Sequence, residues 1–271
     1  MDWSKAKTIL IITFLIMNIF MFCMTVFINS NKPLTDDYIK YSKDYLASRN
    51  IEIKANIPDI SGYAGKVFYS IRDYDIDALC RVVFGKELPI SDNGSGINIV
   101  VGEEMINISD DELYIKDKVP EGEIWFRDKN AFDDGLIKYL KNIGFDKSEL
   151  LTEKSSESEH LKEKVFNIKY KNFRVYDQKI TAQLNKDGFL IISAPNKIIK
   201  KDNGKREVIS IYQVLVMGGL PSNIVIENTD IGYMRVSEGD LYGVPVWRVQ
   251  LDDGTTMFFN GFTGEKLDRW R

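Results

Sequence analysis

The chain has 271 residues, a net charge of −4, 13 Tyr and 15 Phe. That is long enough for one large domain or two ordinary ones, with aromatic mass for a packed core. The mild acidity excludes a nucleic-acid binder built on a concentrated basic face, and two cysteines exclude a disulfide scaffold.

The first element is Thr8–Ile28, 21 residues without Asp, Glu, Lys or Arg. As a helix it would be roughly 31 Å long, against about 30 Å of bilayer hydrocarbon. The apolar core exceeds that of a signal peptide, and the exit through Asn29 and Ser30 has no small-residue cleavage pattern. Cys23 follows Phe22, which does not fit a lipoprotein signal. The expectation is an uncleaved single-pass anchor in the cell membrane. Residues 1–7 would be a cytoplasmic tail, with Trp3, Lys5 and Lys7 as interface anchors and the C-terminal region extracytoplasmic. Within the helix, Ile11, Asn18 and Thr25 recur every seven residues and share a face. An Asn amide in hydrocarbon seeks a partner, and this face is the candidate contact for another membrane helix. The other reading of Asn18 is a lone amide satisfied by water or by its own backbone.

Pro33 and the polar residues before it form a connector. Thr35 is a candidate N-cap, with Asp36 and Asp37 in the first turn and Tyr38, Tyr41, Tyr45 and Leu46 at helical spacing. Val67–Ile71 reads as a strand. Asp75 opens a short helix that presents Ile76, Leu79, Cys80 and Val83 and stops at Gly85. Cys80 is thereby a small core residue. Asp92–Gly96 is a turn, followed by strand-like runs at 97–101, 105–108, 113–116 and 124–127. Phe132, Leu136, Tyr139, Leu140 and Ile143 mark a helix ended by Gly144.

Residues 151–163 are charged and serine-rich and read as a linker or an exposed helix edge. The division expected is 29–150 for a first domain and 164–271 for a second. In the latter, residues 180–184 and 189–194 flank a turn at Asn185–Gly188, a hairpin. Lys200–Arg206 is a basic loop tip, of a kind that meets anionic polymers or is simply solvated. A helix with Val208, Ile211, Val214 and Leu215 buried stops at Gly218-Gly219. Strands at 224–226, 231–236, 246–251 and 256–259 follow, with Asp253-Gly254 as a hairpin turn. Strands joined by short turns are antiparallel, so the fold class expected is α+β: one transmembrane helix, then two antiparallel-sheet-plus-helix units of PepSY/cystatin-like form.

No motif for a nucleophile, a zinc site or a phosphate loop is present. The single histidine, His160, sits among Glu and Lys of the charged stretch. The adjacent acids Asp36-Asp37, Asp110-Asp111 and Asp133-Asp134 read as caps or solvated pairs. A wall-active hydrolase would need two carboxylates brought together by the fold. The expectation is no enzyme, no metal and no cofactor.

The opening Met1-Asp2-Trp3-Ser4-Lys5-Ala6-Lys7-Thr8, running into the apolar helix, resembles the start of the YycI (WalI) family. Val246-Trp247-Arg248, Asp253-Gly254 and Phe262-Thr263-Gly264-Glu265 resemble the closing hairpin of PepSY-like modules. The first resemblance implies a non-catalytic, membrane-anchored regulator in Gram-positive bacteria. It would pair with a YycH-like protein and act on a WalK/YycG-type sensor histidine kinase of the two-component system that governs the cell wall. It also implies a cytoplasmic amino end. The alternative is a tethered PepSY-like domain that binds a ligand or controls a protease.

Overall fold

The computed structural model describes residues 3–28, 36–57, 62–88, 96–119, 129–158, 161–237 and 239–267. The chain divides into two compact units, Met1–Tyr45 and Leu46–Arg271.

The first unit holds helix α1 (Trp3–Ile28) and most of α2 (Asp36–Ser48). Asp36 and Asp37 fall in the first turn of α2, as their charge favours at a positive helix start. The membrane span expected for α1 must be corrected. Among the described residues, no helix is long and apolar enough to cross a membrane. The single-pass placement, with its cytoplasmic tail and extracytoplasmic body, loses its support with the span.

The second unit is mostly β. Its strands are β1 (Ile51–Ile53), β2 (Gly62–Ile71), β3 (Ile97–Val101), β4 (Glu104–Ile108), β5 (Glu112–Lys118), β6 (Leu150–Glu157) and β7 (Leu161–Tyr170). They continue with β8 (Phe173–Asn185), β9 (Phe189–Pro195), β10 (Lys197–Val208), β11 (Ile224–Arg235), β12 (Tyr242–Leu251), β13 (Thr256–Asn260) and β14 (Lys266–Leu267). The helices are α3 (Ile76–Phe84), α4 (Lys129–Asn142) and α5 (Ile211–Met217).

Among the described residues the strands form one fourteen-stranded sheet, ordered β10-β2-β12-β11-β8-β9-β5-β4-β3 along its main path. This overturns the expected pair of successive units. β5 pairs with β9 from Glu112↔Pro195 to Lys118↔Phe189, and β2 pairs with β10 from Ile71↔Lys197 to Gly62↔Val208. The early strands are therefore built into the late ones. The expected linker is also absent as such: Leu150–Glu157 and Leu161–Tyr170 are the antiparallel strands β6 and β7. Their exposed charges are the solvent side of an edge strand, where charge discourages sheet-to-sheet association.

Local signals explain the elements. Asp75 caps α3 by accepting from Ala78 N at 2.9 Å, and Gly85 at φ 67° ends it. Ser210 and Gln213 make a reciprocal capping box on α5. Along β8, buried Gln178, Ile180, Ala182 and Leu184 alternate with half-buried residues, the period of a strand with one covered face. Leu79, Cys80, Leu136 and Leu140 of α3 and α4 join Ile106, Ile115, Ile180 and Ile192 of the sheet in one core. Trp247 is fully buried, and its Nε1 donates to Ile209 O at 2.9 Å. The 200–206 loop tip is instead part of β10, exposed and bulged against β2. The candidate N-cap Thr35, the turn at 92–95, the strand at 124–127 and His160 lie outside the described residues.

Candidate functional site

The residues singled out on α1 do not converge on a site. Ile11 is exposed, and Asn18 donates its amide to Phe14 O at 2.8 Å, within its own helix. Trp3 is exposed, with Lys7 Nζ 5.7 Å from its ring centroid. The side chains of Lys5 and Thr25 lie outside the described residues.

The acidic pairs and the thiol are occupied structurally. Asp133 pairs with Lys164 at 2.6 Å, and Asp111 pairs with Lys197. Cys80 is buried, and burial, with Asp77 adding to it, pushes its thiol up from the ordinary value. Among the described residues, no group of three or more His, Cys, Asp or Glu could hold a metal ion.

The second unit does contain a cavity of about 440 Å³. That is within the range of small-molecule sites, about 300–1,000 Å³. Its walls come from β7, β8 and β10, from Arg72 just beyond β2, and from the 3-10 turn Lys147–Glu149. The strands contribute Ile168, Val175 and Ile199 to the lining, beside Lys169, Lys171 and Lys197. Below lies an aromatic cluster: Val67, Tyr69, Val175 and Tyr233, with Tyr170 and Phe173 set edge-on to Tyr233.

Arg72 is the most constrained member. Its backbone N–H donates to Asn196 O, and its Nη1 donates to Gly144 O at 2.7 Å. Its guanidinium lies 4.4 Å from the Phe145 ring centroid, and Nη2 is 3.7 Å from Glu149. This ties the end of β2 to the end of α4. Its Nε has no hydrogen-bond partner, and neither does Oε1 of buried Gln178. The lining is thus a basic rim over an apolar floor, with buried polar atoms left open. The chemistry it offers is recognition of an anion.

Lys171 and Asp202 bridge the β7–β8 turn to β10 at 2.7 Å. The Lys171 ammonium, chiefly through its hydrogen bond, holds the Asp202 carboxyl below the ordinary carboxylate value. A depressed carboxyl contributes stability above its unfolded value, about pH 3.9, and that stability is lost as pH falls through the lower folded value. An NMR carboxyl titration of Asp202 should have its midpoint below about 3.9 and should move up toward that value in Lys171→Met. An unchanged midpoint in the variant would show that the bridge does not set it.

None of Arg72, Lys169 or Gln178 stands out in the sequence. Lys169 and Lys171 flank a tyrosine within a charged region, and Gln178 reads as an ordinary strand residue.

No family model matches the chain, and no curated protein matches it. Among solved structures, it is similar to the Bacillus megaterium YpeB C-terminal domain at 14% identity and a TM-score of 0.43, over 88% of this chain and 97% of that one. At that TM-score the likeness carries no argument about fold or family.

Proposed function

We propose that the chain is a non-catalytic regulator of the YycI type. It works by protein contacts with a YycH-like partner on a WalK/YycG-type sensor histidine kinase, and through that kinase on cell-wall homeostasis. The observation that supports the reading is the opening Met1–Thr8 run, followed by a large body. A regulator of this kind changes kinase output only by binding one signalling state of the kinase more tightly than another. Affinity capture of the tagged full chain from its own cells should recover a YycH-like protein and the kinase together. Recovery of neither, with the bait intact, contradicts the reading.

A second reading has one specific observation in its favour. The basic-rimmed cavity suits a PepSY-like module that binds a ligand or controls a protease. Recovery of a peptidase in place of the kinase would select it.

A further inference from the structure

The cavity combines three requirements. The first is for an anion. Lys171 and Lys197 have their own carboxylates in Asp202 and Asp111, outside the lining. Arg72 has only Glu149, at 3.7 Å, and half-buried Lys169 has no carboxylate partner among the described residues. The second is for a hydrogen-bond donor. Gln178 is 2% exposed, and its Oε1 is unpartnered. A buried acceptor left without a donor loses its hydration without compensation, so a donor brought to it is favoured. The third is for an apolar group against Ile168, Val175 and Ile199.

We infer that this cavity binds the free carboxyl end of a peptide whose last residue is apolar. The carboxylate meets Arg72 and Lys169, the last amide N–H reaches Gln178 Oε1, and the last side chain covers the floor. Inorganic phosphate supplies no apolar body, and a simple fatty acid supplies no N–H for Gln178. The inference stands apart from the proposed kinase pathway and holds or fails without it.

The test is calorimetric titration of the full chain with alanyl-alanyl-leucine, its carboxamide, and 4-methylpentanoate, which keeps the apolar acid and lacks the amide. The acid peptide should bind about tenfold more tightly than either analogue, as a charged hydrogen bond or a buried acceptor warrants. Lys169→Gln should weaken the acid peptide about tenfold. Gln178→Leu should abolish the preference over 4-methylpentanoate. Because Lys169 makes none of the contacts by which Arg72 ties β2 to α4, its variant keeps the test alive if a change at Arg72 unfolds the protein. A longer peptide with the same last three residues separates the sources. Equal affinity points to protein tails, and rejection points to free short peptides. Carboxamide binding equal to the acid, or no binding of the acid at millimolar concentration, overturns the inference.

Discussion

Replacing Asp177 by leucine should destabilise the second unit by about 3–5 kcal/mol. Asp177 on β8 and Arg235 at the end of β11 form an ion pair at 2.6 Å, with side chains only 5% and 8% exposed. Tyr69 on β2 donates its hydroxyl to the same carboxylate at 3.3 Å, and the Arg235 guanidinium lies 5.6 Å from the Tyr69 ring centroid. Burial, reinforced by Asp177, raises the Tyr69 phenol well above its ordinary value, so it stays a neutral donor. Losing the carboxylate takes from a buried guanidinium the counter-charge it touches, which is the costly half of breaking such a pair. Removing both charges, as Asp177→Leu with Arg235→Met, should therefore be milder than Asp177→Leu alone. Chemical denaturation of the three proteins checks this. A double variant worse than the single one would mean that the pair attracts more strongly than its desolvation costs.

Gly232→Ala should cost about 3 kcal/mol, the upper end of ordinary overpacking. β11 joins β8 through only two residue pairs, Gly232↔Arg174 and Tyr233↔Val175. These two pairs link β10, β2, β12 and β11 to β8, β9, β5, β4 and β3 on the main path of the sheet. A Cβ on Gly232 would lie 2.2 Å from Arg174 O and 2.7 Å from the Tyr176 ring. The first clash is with backbone, so a side-chain rotation cannot relieve it. Gly62→Ala is the control, since its Cβ would meet nothing within 4 Å. Thermal unfolding should separate the two variants clearly. Equal melting temperatures would show that the seam between β8 and β11 can open without cost.

The short-range features of the body were legible in the sequence because their causes are local. Asp75 and Gly85 bracket α3, Gly144 follows α4 with φ 99°, and Asn185–Gly188 turns β8 into β9. Strand partners across long separations were not legible. Nothing in the alternation of Gly62–Ile71 names Lys197–Val208 as its neighbour, and the same pattern fits any open sheet edge. Hence two successive units were expected where a single sheet interleaves both halves. The Leu150–Glu157 stretch misled in another way, since an exposed edge strand carries the composition of a linker. The cavity was hidden for the same topological reason. Arg72, Lys169, Gln178 and Lys197 lie on four separate segments and meet only once β2, β7, β8 and β10 are placed.

The regulatory account is tested most directly by the autophosphorylation rate of a WalK/YycG-type kinase, measured with and without the full chain and its YycH-like partner. The account expects the rate to change when both are added, in either direction, and to return to its starting value when the chain is withheld. A rate that is the same under all conditions, with the proteins shown to be folded, would contradict it.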